Sequence, residues 1–235
     1  RRPMLTRYAA QNHGKADHGW LKSLFHFSFA NYYNPRRVQF GTLRVVNDDL
    51  VKAGTGFDMH PHDNMEIISY VIDGQLTHGD SLNNSNTISR GHIQYMSAGT
   101  GIMHSEYNKG TDTLRFLQIW IKPAQRSLKP YYGDYRYNWD ERKNRFLHMV
   151  SPTGGPAPVQ INTDANIYAA DIDQGLNLEF PVAAGRQAYV IQIEGSSQLN
   201  NVTLSERDSL ESVEETLIIK AIEPSHLLII EMPKQ

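Results

Sequence analysis

The stretch GTGFDMHPHDNMEIISYVIDG, residues 54–74, decides how the rest of the chain is read. Its second half, EIISYVID, is a run of β-branched and aromatic residues closed by Gly74, the pattern of a strand running into a hairpin. Its first half carries His60, Pro61 and His62. On a strand, residues two apart face the same side about 6.6 Å from each other, so two imidazoles at this spacing aim at one point. Pro61 faces the other way and cannot donate a ladder hydrogen bond, which places its strand near a rim or a bulge. A second pair of the same spacing stands at His104 and Glu106, approached through Gly99 and Gly101 in a tight turn. A lone H-x-H is common on surfaces, but two matched pairs on two strands make a four-donor site inside a barrel.

Working outward, similar short runs recur at residues 42–46, 114–121, 188–193 and 227–231, separated by Gly, Asn and Asp. This rhythm predicts an all-β protein. Residues 17–28 and 137–144 have room for short helices at most. Residues 122–144, rich in Pro, Tyr and charge, are expected to connect two modules, and SPTGGPAP at 151–158 reads as a loop.

Of 235 residues, 23 are basic and 25 acidic, a formal charge of −2 that gives no global drive toward nucleic acid or anionic membrane. The absence of cysteine removes disulfides, thiolate metal sites and thiol catalysis, leaving histidine and carboxylate for any metal work. No apolar run reaches the ~18 residues of a membrane span, and the first twenty residues lack the apolar core of a signal peptide, so a cytoplasmic protein is expected. Nitrogen and oxygen donors suit one divalent ion of iron, manganese, nickel, copper, zinc or cobalt. Four protein ligands leave one or two positions open, as in a catalytic or sensing centre.

Residues 54–74 resemble the first cupin motif, with its final spacing one residue long. Residues 91–108, GHIQYMSAGTGIMHSEYN, resemble the second motif in the form found in pirins, where a glycine-rich turn precedes H-S-E. The segments HGWLKSLFHFSFANYYNP (18–35), FGTLRVVNDD (40–49), THGDS (77–81) and LQIWIKP (117–123) are also similar to pirins. The resemblance implies an all-β bicupin, two packed β-barrels of the double-stranded β-helix or jelly-roll type. Residues 1–135 would form a metal-binding barrel and 136–235 a degenerate, metal-free one, in which His148 and His226 have no H-x-H motif beside them. It implies His60, His62, His104 and Glu106 as ligands, and Fe2+ as the ion.

Both Glu66 and Glu106 share strand parity with the histidines, and ordinary metal cupins take their carboxylate from the Glu66 position. The pirin resemblance favours Glu106 and leaves Glu66 as an acceptor in the core or beside a ligand. His78 and His92 read as hairpin or loop residues. His13, His18 and His26 precede the barrel strands, and Trp20, Phe25, Phe27, Tyr32 and Tyr33 read first as core and second as walls for a planar ligand.

The chain's length resembles that of short bacterial pirins described as quercetin 2,3-dioxygenases. The implied activity is metal-dependent cleavage of a flavonol such as quercetin, with Glu106 as the catalytic base and a small planar aromatic molecule and O2 as partners. The alternative is a non-enzymatic, iron-binding, redox-responsive regulator acting through a protein partner. A sugar-phosphate isomerase would need basic residues near the site, and Arg44 and Arg90 are the nearest candidates.

Overall fold

The computed structural model describes residues 4–235; the first three residues of the expected N-terminal domain lie outside the described residues. The chain divides into two units that exchange short segments: Gly14–Asn138 with Ile161–Thr163 in one, and residues 4–13 with Trp139–Gln160 and Asp164–Gln235 in the other.

In chain order, β1 (Leu5–Tyr8) belongs to the second unit, and β2 (Gly14–Asp17), β3 (Leu21–Phe25), β4 (Leu43–Val51), β5 (Gly56–His62), β6 (Glu66–Asp73), β7 (Leu76–Asp80), β8 (Ser85–Ile88), β9 (Ile93–Ser97), β10 (Ile102–Tyr107), β11 (Leu114–Ile121) and β12 (Tyr131–Tyr135) build the first. These form a seven-stranded sheet, β12-β9-β6-β11-β4-β3-β2, and a four-stranded sheet, β5-β10-β7-β8. All the pairings are antiparallel. Every residue of β6 except Asp73 is buried, which accounts for its largely apolar sequence: a central strand covered on both faces does not alternate regularly with polar residues, and its buried Glu66 and Ser69 are both hydrogen-bonded. Its Val71 packs with Leu76, Ile88, Leu114 and Phe116 in one core cluster, each such side chain contributing about 1.5–3 kcal/mol on burial. Arg115 points its guanidinium in a fork at the fully buried Asp48 carboxylate, at 2.9 and 3.0 Å, so that charge is matched by two bonds.

The second unit repeats the plan. Its strands β13 (Leu147–Pro152), β14 (Val159–Ile161), β15 (Asn166–Ile172), β16 (Asn177–Phe180), β17 (Arg186–Glu194), β18 (Ser197–Leu199), β19 (Val202–Leu204), β20 (Ser209–Val213), β21 (Leu217–Ala221) and β22 (Ser225–Pro233) again give a seven- and a four-stranded sheet, β1-β20-β17-β22-β15-β13-β14 and β16-β21-β18-β19. An aliphatic core including Val190, Leu210, Leu227 and Ile229 fills it. The all-β bicupin reading therefore holds, with each unit built from two antiparallel sheets.

Residues 17–28 form no helix, within the limit the sequence set: the Asp17 carboxylate accepts the Gly19 N–H at 2.9 Å, turning the chain so that β2 and β3 pair. Two expectations are corrected. Residues 122–144 are not all connection, because YYGDY forms the edge strand β12 on β9, although Trp139–Arg142 is a short 3-10 helix as its position allowed. The chain does not divide once, at 135/136. Residues 4–13 join the second unit through β1 on β20 and through Asp208, which accepts from Arg7 Nη2 at 2.9 Å and Ala10 N at 2.7 Å. No helix among the described residues is long and apolar enough to cross a membrane.

Candidate metal centre

The pairing of β5 with β10 brings the two sequence motifs together. His60 stands directly opposite His104, and His62 opposite Ile102, with a bulge between His104 and Glu106. The extra residue lies on β5, where Asp58 and Met59 stand against Ser105 alone, so β5 bends while His104 and Glu106 stay on one face of β10. Gly56 permits the close approach of the strands, since a Cβ there would strike the Glu106 carbonyl and Tyr107. Gly99, at φ +49°, fits the turn leading into β10 because a side chain would collide with the Leu128 carbonyl.

The three imidazoles converge. His104 Nε2 lies 2.8 Å from His60 Nε2 and 3.0 Å from His62 Nε2. His60 Nδ1–H donates to the Asp58 carbonyl at 2.7 Å, which leaves its Nε2 lone pair directed at the cluster. Burial, reinforced by the neighbouring imidazoles, pushes His62 down to about 4 and His104 down to about 3, so both rings are neutral near pH 7 and keep a lone pair. Two nitrogens held about 2.1 Å from a metal ion and at right angles to each other lie about 3.0 Å apart, so the distances from His104 to the other two rings fit a shared divalent cation. The cluster can hold a metal.

Glu106 stands beside it. Its Oε1 is 3.8 Å from His104 Nε2 and accepts from Gln118 Nε2 at 2.7 Å, while Oε2 accepts from Ser69 Oγ at 3.1 Å. Gln118 is itself oriented by Trp120 Nε1–H, which donates to its Oε1 at 3.1 Å and so fixes which end of the amide faces Glu106. The Trp120 ring also meets His62 edge-on at 5.1 Å and Phe29 at 5.5 Å.

Over this group opens a cavity of about 370 Å3, with Leu21, Phe25, Phe29, Phe57 and Trp120 as apolar walls and His60, His62 and Glu106 at one side. Its size suits a small organic molecule.

Glu66 lies elsewhere. Fully buried, it accepts from Tyr95 Oη at 2.7 Å, Ser97 Oγ at 2.6 Å and the Asn162 N–H at 2.6 Å. Burial and the Glu66 charge both push the Tyr95 phenol up, which keeps it a donor. The role is structural: Glu66 anchors Ile161–Thr163 to the first unit. Glu66→Gln should therefore lower stability by about 2–3 kcal/mol, because charge-assisted bonds become neutral and an amide N–H2 is set against donors. Denaturant melts of the two forms, with metal content unchanged between them, check this.

Of the other histidines, His18 lines the cavity, His26 is buried, His13 belongs to the second unit, and His92 accepts from Ser89 N within its hairpin. His78 is a hairpin residue as expected, on β7 opposite Asn86 of β8. It is buried on β7, stacked on Tyr132 at 4.1 Å, and its ring is 5.5 Å from that of His104. It bonds Asp80 at 2.7 Å; against the raising effect of burial, this bond and those from Asn84 and Leu82 hold Asp80 below the usual carboxylate range. Phe25 walls the cavity and Phe27 is core, whereas Tyr33 is exposed to solvent, outside both expected roles. In the second unit His226 pairs with Glu194 at 2.8 Å and His148 with Asn166 at 2.9 Å. Arg44 binds the Ser28 carbonyl and Arg90 that of Ile72, so neither supplies the cation an isomerase site would need. Sequence reading overlooked Ser69, Gln118 and Trp120. Their signal was a polar residue interrupting an apolar strand run, with Gln118 and Trp120 on one face by the two-residue rule.

The Pirin family model matches residues 6–121, and one described as a quercetinase C-terminal cupin domain matches residues 148–232. A pirin-like protein of Caulobacter vibrioides is 39% identical over 97% of this chain and 99% of its own. The chain belongs to the pirin family. This pirin is also 38% identical to a quercetin 2,3-dioxygenase of Escherichia coli, over 95% of the chain and 96% of the relative. It is similar as well to the solved structure of the bacterial pirin YhhW from Escherichia coli in complex with nickel(II), with a TM-score of 0.93, 35% identity and coverage of 99% and 100%.

Proposed function

We propose that this pirin is a metal-dependent dioxygenase that opens the central ring of a flavonol such as quercetin at its 2,3 bond. The observation that carries the reading is the junction of three convergent imidazole nitrogens and a buried carboxylate with an aromatic-walled cavity of about 370 Å3. His60, His62 and His104 would hold the ion, with Glu106 as a fourth ligand; iron is what the pirin resemblance implies, while the YhhW complex holds nickel. A divalent ion there would act as a Lewis acid for the substrate's enolate oxygen and bring O2 to the same centre.

The remaining work falls to the chain. Glu106 accepts the proton of the flavonol 3-hydroxyl, with Gln118 and Ser69 holding its carboxylate in position. Leu21, Phe25, Phe29, Phe57 and Trp120 enclose the planar rings and exclude water, which strengthens each polar contact inside. Cleavage adds both atoms of O2 and releases carbon monoxide, leaving an ester of two phenolic acids.

Metal-loaded protein should consume quercetin and O2 one for one and release carbon monoxide, read with an oxygen electrode and a headspace assay. Full metal loading without O2 uptake across a panel of flavonols and catechols would overturn the reading and favour the redox-responsive regulator.

A further inference from the structure

A third pair at the two-residue spacing lies beside the two that carry the cluster. The segment THGDS, residues 77–81, ends β7, which pairs with β10 so that His78 stands opposite Glu106 and Asp80 opposite His104. All four side chains are buried. His78 Nε2–H donates to Asp80 Oδ2 at 2.7 Å, and Asp80 accepts as well from the Leu82 N–H at 2.8 Å and the Asn84 N–H at 3.1 Å. Tyr132 stacks on the His78 ring at 4.1 Å and fixes its plane. With Nε2 committed to Asp80, Nδ1 is the nitrogen His78 has left for a further partner. His104 has the complementary need. Its Nε2 faces the other imidazoles, while its Nδ1 is buried with no hydrogen-bond partner among the described residues. A metal ion on Nε2 leaves the ring proton on Nδ1, and a buried N–H without an acceptor is costly. The His78 ring stands 5.5 Å away between centroids, and a void of about 10 Å3 among His78, His104, Ser69, Gln94 and Glu106 gives the two rings room to turn toward each other.

We propose that His78 is a positioning residue for the metal centre: its Nδ1 accepts the Nδ1–H of metal-bound His104, and Asp80 holds His78 in the tautomer that can do so. The chain of bonds runs from Asp80 through His78 to His104 and the ion. It fixes the rotation of the His104 ring and makes that ring a more basic ligand, as an acceptor behind a metal-bound imidazole does. Gln94 is the competing acceptor, since its buried Oε1 also has no hydrogen-bond partner among the described residues. An imidazole nitrogen polarised by a carboxylate on its other side is the stronger acceptor of the two. The assignment rests on the metal reading of the three imidazoles and is independent of the flavonol reading of the cavity.

The test loads the full isotope-labelled chain with zinc(II), a diamagnetic probe, and reads nitrogen–nitrogen coupling across hydrogen bonds by NMR. His104 Nδ1–H should couple to His78 Nδ1 and exchange slowly with solvent. Zinc affinity is then measured by competition with a chelator. His78→Phe keeps a ring against Tyr132 but has no acceptor, and should bind zinc about 10–100-fold more weakly. His78→Asn, smaller and poorer in packing, sets an amide oxygen near the position of Nδ1 and should restore most of that loss. An equal loss in both variants, or a greater one in His78→Asn, would make His78 a packing residue and overturn the assignment. So would zinc-bound wild type without the coupling, whether the His104 N–H is lost to exchange or held by an oxygen such as that of Gln94; the metal centre would still stand. Zinc that fails to bind, or binds as tightly after His104→Ala, would remove the metal reading and the role of His78 together. Thermal melts of the metal-free variants check folding, and if His78→Phe does not fold, the wild-type coupling decides.

Discussion

His104→Ala should strip the protein of its metal. His104 Nε2 lies within 3.0 Å of both other imidazole nitrogens, so its removal leaves two ligands on a single strand and no donor ring from the facing one. Loss of an outer partner of a metal ligand costs about 10–100-fold in affinity, and loss of the ligand itself should exceed that. Elemental analysis of protein purified with iron or nickel should fall from one equivalent per chain to a small fraction. His226→Ala is the control: that ring is paired with Glu194 in the second unit, and its removal should leave metal content as it was. Full occupancy in His104→Ala would show that the ion sits elsewhere.

The second large effect is expected of Glu106→Gln. The substitution keeps the side chain's size but removes the charge and the proton-accepting oxygen, and one end of the new amide meets either Gln118 Nε2 or Ser69 Oγ, which now both donate to the carboxylate. Turnover of quercetin by metal-loaded protein should fall by ~10²-fold or more, the usual weight of a positioned general base. Metal affinity should fall by ~10-fold as the divalent ion loses its anionic neighbour. Glu66→Gln, compared per mole of folded protein, should retain turnover, since that carboxylate faces Tyr95, Ser97 and Asn162. A crippled Glu66→Gln beside an active Glu106→Gln would reverse the assignment of the two glutamates.

What could be read from the chain depended on whether the signal was local. His60 and His62 share a face by backbone geometry alone, and so do His104 and Glu106, so both pairs were visible as pairs. Their meeting depends on the β5 and β10 register, which local spacing does not encode; the motif resemblance supplied it. Glu66 and Glu106 could not be separated by parity, because each sits an even number of residues from a histidine. What separates them is a set of partners far away in sequence, above all the Asn162 N–H, 96 residues on. The burial of His78 was not legible for the same reason: the strand that covers it, with Tyr132 stacked on its ring, lies in a segment whose Pro, Tyr and charge read as a connection.

The exchange of segments between the units has a consequence for the gene. Because β1 is contributed from upstream of the unit that carries the His60, His62 and His104 cluster and Asn162 from downstream of it, no single cut yields two complete halves. A fragment ending after Asn138 would leave the Glu66 carboxylate without one of its donors, and a fragment beginning at Trp139 would leave the edge of β20 uncovered. Evolution can therefore neither detach the second unit nor replace it by simple fusion without also repairing the first, which gives a half whose histidines form no such cluster a reason to persist.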